Sequence, residues 1–358
     1  MAATDPLAGP ETVAPSGADN RWVRMAGSIF RTAVSVAVTI LGLLALTFFI
    51  GRLLPLDPVL AILGDDASQD AYQRMFVKLG LDRPLWEQFL TYIGNSLTFD
   101  FGTSLTSGNP VTQDILRVFP ATLELATVAM ILGTGLGIPL GVMAAANRDT
   151  WIDQTVRIVS LIGYSAPIFW LGLLGLTVFY AGLGWVGAPG RIDIVYQYDL
   201  ETRTGLYLID SILAGRWDIF QDVFSRIVLP ASILAYGAMA YIARMTRSFM
   251  LEQFGQEYII AARAKGATRW QVIWSHAFPN IAVQLVTVVA LSYAFLLEGA
   301  VLTETVFAWP GFGRYLTTAL LRADMNAVLG CTLIVGLIFI VLNLASDIFY
   351  RVFDPRTR

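Results

Sequence analysis

The stretch EYIIAARAKGATRWQVIWSHAFPN, residues 257–280, separates two long apolar runs of the chain. Its first half has helical spacing and leads to Gly266, the residue type that most often ends a helix in the left-handed conformation. Thr268 and Gln271 then have the spacing of a capping box, which starts a second helix. Pro279 ends this second piece or opens the next apolar run. The stretch therefore predicts a hairpin of two short helices joined at Gly266.

The side chains of this hairpin suit a contact surface. Ala261 and Ala262 are small enough for another backbone to approach closely, and Trp270 offers a large rigid contact. Arg263 and Lys265 would pair with acids of a partner, contact lipid head groups or stay in solvent. From the residues alone, the hairpin either docks a partner or packs back on its own helices.

The composition outside the hairpin is that of a membrane protein. Hydrophobic residues make up 56% of the 358 residues and charged residues only 14%, against about 25% in an average soluble domain. A span needs about 20 largely apolar residues. Six stretches qualify, at about 32–51, 122–146, 158–183, 227–243, 280–302 and 326–346. Residues 21–358 are thus predicted to form one all-α polytopic membrane domain, with the hairpin in a loop at about 249–279.

The loops predict the orientation of these spans. Arginine and lysine concentrate before the first span, after the second, after the fourth and after the sixth, which all fall on one side. The positive-inside rule makes that side cytoplasmic, with both termini and the hairpin. The two long loops, at about 52–118 and 184–226, then lie outside, and helical spacing predicts a short helix in each, near 85–97 and 206–213. Residues 1–20 have the composition of a disordered tail.

The sequence contains no recognisable catalytic motif. It contains no phosphate-binding loop of the type Gly-x-x-x-x-Gly-Lys-Ser/Thr. Its only histidine, His276, lies in the basic hairpin and is expected to be a helix-end or interface residue. Its only cysteine, Cys331, lies in an apolar run, so neither a disulfide framework nor a metal site is expected. A net charge of −3 gives no support to nucleic-acid binding. The chain is therefore expected to be a transporter or channel and not an enzyme.

The hairpin resembles a loop of binding-protein-dependent ABC import permeases. That loop has the pattern Glu-Ala-Ala-x-x-x-Gly and a proline thirteen residues after the glycine, and it docks into a cytoplasmic ATPase. Here Ala261, Ala262 and Gly266 match, and Pro279 falls at the required distance. Ile260, His276 and Phe278 replace the other pattern residues, and the run from Ala262 to Gly266 is similar to the version found in the dipeptide/oligopeptide branch.

Further segments resemble the same branch, in the same order, over about residues 30–358. They are Leu79–Leu85, Phe101–Leu105, Pro120–Leu125, Gly137–Gly141, Thr204–Asp210, Glu304–Gly311 and Phe353–Arg356. The two long outer loops are similar to those of the B-type permease. The resemblance implies a type I ABC importer permease fold and the uptake of di- or oligopeptides.

The resemblance also implies partners. They are a second (C-type) permease, two cytoplasmic ATPases that carry ATP and Mg²⁺, and an external substrate-binding protein; membrane lipids surround the assembly. This chain would need no cofactor of its own and would lie in a bacterial cytoplasmic (inner) membrane. The residues implied in coupling to the ATPases are Ala261, Ala262, Arg263, Lys265, Gly266, Thr268 and Trp270.

Residues of the translocation pathway are predicted from polar groups and breaks in the spans. Tyr164, Ser165 and Pro167 would interrupt the third span where a pathway runs, or would only kink it in packing. Glu298 would meet a substrate or close a gate, or would be an interfacial carboxylate. Glu124 and Glu304 are expected at the membrane interface, in structural roles.

Alternatives to peptide uptake remain open. Similar permeases carry nickel complexes, glutathione, opines or oligosaccharides. A secondary transporter driven by an ion gradient is disfavoured because no inverted repeat is evident and charges within the spans are scarce. A structural or signalling scaffold in the membrane would explain a docking loop without transport.

Overall fold

The computed structural model describes residues 19–53, 57–64 and 66–353, which form helices and no strand. The helices are α1 (Asp19–Leu53), α2 (Pro58–Leu63), α3 (Gln69–Lys78), α4 (Leu85–Leu97), α5 (Val111–Ala146), α6 (Trp151–Ser165), α7 (Ile168–Gly175), α8 (Tyr207–Leu213), α9 (Trp217–Phe254), α10 (Glu257–Ala264), α11 (Arg269–Gln271), α12 (Phe278–Val306), α13 (Phe312–Leu321) and α14 (Met325–Phe353). Two π-helical segments continue α7 and α11, at Leu176–Gly182 and Val272–Ala277.

The apolar helices agree with a six-span membrane protein. Five stretches are long and apolar enough to cross a membrane: Phe30–Gly51, Val111–Ala146, Trp217–Phe254, Arg269–Leu297 and Met325–Leu344. The sixth is a bent pair formed by α6 with α7 and its π segment. The predicted all-α polytopic fold is therefore confirmed.

Two spans are much longer than their apolar windows indicated. The second predicted span, 122–146, is the C-terminal part of α5, and the fourth, 227–243, is the middle part of α9; the two helices have 36 and 38 residues. At 1.5 Å per residue, each helix is about 55 Å long, well beyond a hydrocarbon core of about 30 Å. The polar ends were missed because a hydropathy window detects only the part of a helix that lies in lipid.

The third span, predicted at about 158–183 with an interruption or a kink near Pro167, is broken into two helices. The axes of α6 and α7 differ by 100°. Ala166, between the helices, is extended (φ −76°, ψ 131°), and Pro167 precedes the first residue of α7. Proline lacks an N–H donor and disfavours a helical conformation in the residue before it, which accounts for the break.

The terminal and outer segments follow the sequence in part. The first helix begins at Asp19, two residues inside the predicted tail, and residues 1–18 lie outside the described residues. The short helices predicted in the long loops are confirmed as α4 and α8. They lie at the end of the bundle opposite the hairpin.

The centre of the molecule is the contact between α5 and α9. Three glycines one turn apart on α5, Gly133, Gly137 and Gly141, face α9. At Gly141 an added Cβ would lie 2.5 Å from the Ala243 carbonyl oxygen and 2.6 Å from Thr246 Cβ. Small residues allow such close approach between membrane helices. The two longest helices therefore form a tightly joined pair, against which α6 and α12 pack.

Two glutamates at the end opposite the hairpin are enclosed by other segments. Glu124 and Glu304 are only 4% and 0% exposed, a degree of burial that the sequence did not indicate. Arg191 donates to Glu124 from Nε at 3.0 Å and from Nη2 at 2.7 Å. Glu304 accepts from the Thr122 hydroxyl and, at 2.9 Å, from the backbone N–H of Arg314. These contacts join the loop between α7 and α8, α5, α12 and α13 at one end of the bundle.

Candidate functional site: the helical hairpin and the broken third span

The hairpin consists of α10, a turn at Gly266, and α11 with its π segment. Gly266 has φ +87°, in the left-handed region that glycine adopts without strain. Gln271 Oε1 accepts the Thr268 backbone N–H at 2.8 Å, and the Thr268 hydroxyl accepts the Gln271 backbone N–H. The predicted helix–turn–helix and its capping box are therefore confirmed, but the second helix is not short, because it continues through the π segment into α12.

One side of the hairpin is buried against the ends of three spans. Its buried apolar side chains are Ile259, Val272, Ile273 and Ala277. They pack in one cluster with residues of α5, α9 and α12, namely Val142, Ala145, Met250, Ile281 and Leu285. Each fully buried Val or Ile contributes about 1.5–3 kcal/mol. The hairpin is thus firmly attached to the bundle, and a displacement of it would be passed to three spans.

The opposite side of the hairpin is open. Ala261, Lys265 and Gly266 are exposed, and Trp270 is 71% exposed. We call these residues, together with the exposed Ile260, the docking face. They include a small residue, a turn and a large aromatic side chain, all of which are open to a protein partner.

Three of the predicted coupling residues lie off the docking face. Ala262 turns into the bundle and is 8% exposed. Arg263 is exposed but lines a cavity on the inner side of the hairpin. Thr268 acts through its cap on the second helix. Helical spacing alone does not separate these positions, because it does not say which side of α10 meets the bundle.

An aromatic ladder continues from the hairpin into α12. The rings of Trp270 and Trp274 are stacked with centroids 6.5 Å apart, and those of Trp274 and Phe278 are 5.1 Å apart. His276, in the same segment, is half-buried, and its carbonyl accepts the Asn280 side-chain amide at 2.6 Å. The histidine thus lies inside a continuous helix and not at a helix end, and the interface role expected as the alternative stays a prediction.

Two polar contacts fix the hairpin end of the bundle. Arg269 donates from Nη2 to the carbonyl of Ala146 and, at 2.8 Å, to Asn147 Oδ1. Arg247 binds the fully buried carboxylate of Asp153 through two hydrogen bonds, of 2.6 and 2.7 Å. The first contact ties the hairpin to α5, and the second ties α6 to α9. Neither contact could be predicted from the local sequence, because the partners are 94 or more residues apart along the chain.

The break in the third span brings together the predicted residues Tyr164, Ser165 and Pro167. All three are exposed at the junction of α6 and α7. The helix is held close to α9 just before the break, where a Cβ on Gly163 would lie 2.9 Å from the Tyr236 ring. The predicted interruption is present, and its three residues lie on an exposed side of the bundle.

Arg244 joins this junction, although the sequence indicated only a role in orientation. Its guanidinium lies 5.2 Å from the Tyr164 ring centroid and 5.5 Å from that of Tyr241. Both distances are within the range of a cation–π contact. The exposed guanidinium has no carboxylate partner among the described residues. In the sequence, the available signal for this role of Arg244 was its charge at the edge of the fourth predicted span.

One side of α12 is also open. Gln284 and Phe295 are exposed there, and Thr287 is half-buried. Glu298 belongs to α12, but its side chain lies outside the described residues. Exposed polar side chains are costly in lipid and mark pathways or contacts between subunits. Elsewhere in the described chain, no group of three or more His, Cys, Asp or Glu side chains is arranged to hold a metal ion.

Family models match most of the chain. Residues 137–358 match the binding-protein-dependent transport system inner membrane component, and residues 25–126 match the N-terminal part of such membrane components. A solved chain from the MetNI methionine ABC transporter, in inward-facing conformations, is 22% identical and has a TM-score of 0.49; the match covers 66% of this chain and 95% of that one.

Curated relatives match along nearly their whole length. The probable D,D-dipeptide transport system permease protein DdpB of Escherichia coli K12 is 40% identical, covering 90% of this chain and 94% of that protein. The di/tripeptide transport system permease protein DppB of Pseudomonas aeruginosa is 41% identical over 89% and 95%. The dipeptide transport system permease protein DppB of E. coli K12 is 41% identical over 92% and 98%. The chain therefore belongs to the family of inner membrane components of binding-protein-dependent transport systems.

Proposed function

We propose that the chain is a permease subunit of an ATP-driven importer that takes up di- or oligopeptides delivered by an external binding protein. The observation that carries this proposal is the 40–41% identity, over about nine-tenths of the chain, to three permeases named for peptide transport. The open docking face of the hairpin supports the coupling part of the proposal.

The hairpin lies on the cytoplasmic side, and both termini are cytoplasmic. The support is the charge pattern: Arg148, Arg157, Arg244 and Arg247 cluster at the hairpin end of the spans, where the positive-inside rule puts the cytoplasm. The helices α4 and α8 then face outward, where the binding protein arrives.

The docking face couples the spans to a cytoplasmic ATPase. Gly266 supplies the turn, Ala261 the close approach, and Trp270 and Lys265 the contacts, while Thr268 fixes the second helix. Ala262 packs on the inner side of the hairpin, and Arg263 lines the cavity there. When the ATPases close on ATP, the hairpin is displaced and the shared apolar cluster moves the ends of α5, α9 and α12.

The remaining partners follow from this assignment. Two ATPase subunits bind ATP and Mg²⁺ and hydrolyse the ATP, so this chain needs no cofactor. A second, C-type permease covers the open sides of α6 and α12. The pathway runs between the two permeases, past Tyr164, Ser165 and Pro167 at the broken span and past Glu298 on α12; Arg244 adds a positive charge beside the break.

Uptake of a radiolabelled dipeptide tests the proposal. The chain is expressed with the proposed second permease, ATPases and binding protein in cells without peptide uptake. We expect uptake that needs both the ATPases and the binding protein. Competition by a nickel complex, glutathione, an opine or an oligosaccharide, without competition by peptides, would move the assignment to another solute. Uptake that persists without the ATPases and follows an ion gradient would identify a secondary transporter instead.

A further inference from the structure

A cavity of about 560 Å³ lies on the inner side of the hairpin. Its walls come from the ends of α5 and α9, from α10 and from the start of the span that contains α12. The volume is in the range of sites for small ligands, roughly 300–1,000 Å³. The inner apolar cluster borders this cavity but does not fill it.

The charged groups of the cavity are all positive. Arg148, Arg263 and Arg269 line it, and no Asp or Glu does so among the described residues. Arg269 is already bound to Ala146 and Asn147, and it offsets the partial negative charge at the C-terminal end of α5.

The other two guanidiniums are available to a ligand. Arg263 has no ion pair or hydrogen bond within the described chain. Arg148 meets only Asp149, at 3.3 Å, and both side chains are at least two-thirds exposed. An exposed pair of this kind contributes about 0–1 kcal/mol, so an anion displaces it readily.

The position of the cavity selects the kind of anion. The apolar stretch 122–146 of α5 ends at its walls and the apolar helix Arg269–Leu297 begins there, which puts the cavity near the level where these two helices leave the membrane. Leu251, Phe254 and Ile273 add apolar wall beside the arginines. A phospholipid has a phosphate next to an apolar body at this level, and basic pockets between spans bind such head groups.

We propose that the cavity binds the head group of an anionic phospholipid, with Arg148 and Arg263 contacting its phosphate and Arg269 holding the wall in place. A lipid there would lie between the end of α5 and the inner side of α10. It would make the position of the hairpin depend on the anionic lipid content of the membrane, whichever solute is carried.

Lipid retention by the purified complex tests this proposal without any transport assay. The full chain, expressed with its partner subunits, is titrated with phosphatidylglycerol, phosphatidylcholine or inorganic phosphate, and bound lipid is counted by native mass spectrometry. We expect phosphatidylglycerol to be retained in preference to phosphatidylcholine. Arg148→Gln and Arg263→Gln should each weaken that retention about fivefold, since a basic residue near the surface contributes about 1 kcal/mol.

The controls separate this site from general surface charge. Arg157→Gln removes an exposed arginine at the same end of the bundle that does not line the cavity, and it should leave retention unchanged. Arg148→Lys should restore most of the binding lost in Arg148→Gln. Equal retention by the wild type and both glutamine variants would overturn the proposal. Displacement of the lipid by millimolar inorganic phosphate would also overturn it, because the site would then be one for free phosphate.

Discussion

Replacing Arg191 by Gln should destabilise the end of the bundle opposite the hairpin. The side chain is 5% exposed and donates two hydrogen bonds to Glu124, at 2.7 and 3.0 Å, and one to the Gly205 carbonyl, at 2.5 Å. Its guanidinium also stacks 3.7 Å from the Tyr207 ring centroid. Without it, the buried carboxylate of Glu124 keeps, among the described residues, only the Leu208 backbone N–H, at 2.7 Å.

Breaking one partner of a buried ion pair costs about 3–5 kcal/mol. At about 2 °C per kcal/mol for a chain of this length, the midpoint of thermal unfolding of the purified permease should fall by about 6–10 °C. The matched control is Arg203→Gln, which breaks the exposed pair with Glu201 and should cost at most about 1 kcal/mol. Adding Glu124→Gln to Arg191→Gln should recover part of the loss, because the uncompensated charge is removed. Equal midpoints for Arg191→Gln and Arg203→Gln would refute the reasoning.

Three further predictions concern the spans. Gly141→Leu should destabilise the permease by about 1–3 kcal/mol and so lower both its yield and its unfolding midpoint. Gly135→Leu, where a Cβ meets no atom within 4 Å, should be tolerated. Equal behaviour of the two variants would contradict the close contact of α5 and α9. Asp153→Asn should lower the unfolding midpoint, because Arg247 loses its buried carboxylate partner. The control Asp149→Asn, at an exposed residue, should leave the midpoint unchanged. Equal midpoints for the two variants would rule out a stabilising role for the Arg247–Asp153 ion pair. Glu298→Gln should slow peptide uptake or alter basal ATP hydrolysis in the reconstituted complex, and unchanged values of both would remove Glu298 from the pathway.

The hairpin could be predicted in detail because its signals are local. Gly266 ends one helix, and Thr268 with Gln271 starts the next within a few residues. The break in the third span follows in the same way from Pro167. Such features depend on the conformational preferences of neighbouring residues and need no knowledge of the rest of the fold.

The features that escaped prediction depend on distant partners. Glu124 is buried because Arg191 lies 67 residues further along the chain, and Glu304 because α5 supplies Thr122, 182 residues before it. Ala262 faces inward because α10 packs on three span ends, which its own spacing does not reveal. The full lengths of α5 and α9 escaped for another reason, since their polar ends lie beyond the apolar windows that identify a span.

The most direct test of the proposed coupling is the pair of variants Gly266→Asp and Gly266→Asn, assayed for peptide uptake and ATP hydrolysis in liposomes with all partner subunits. A Cβ at Gly266 meets no atom of the described chain within 4 Å, so the damage to this subunit is limited to backbone strain of about 1–2 kcal/mol. Asparagine tolerates the left-handed conformation better and adds no charge. We predict that Gly266→Asp stays assembled in the membrane but loses uptake, with Gly266→Asn less affected. Uptake by Gly266→Asp at the wild-type rate would contradict a coupling role for the hairpin.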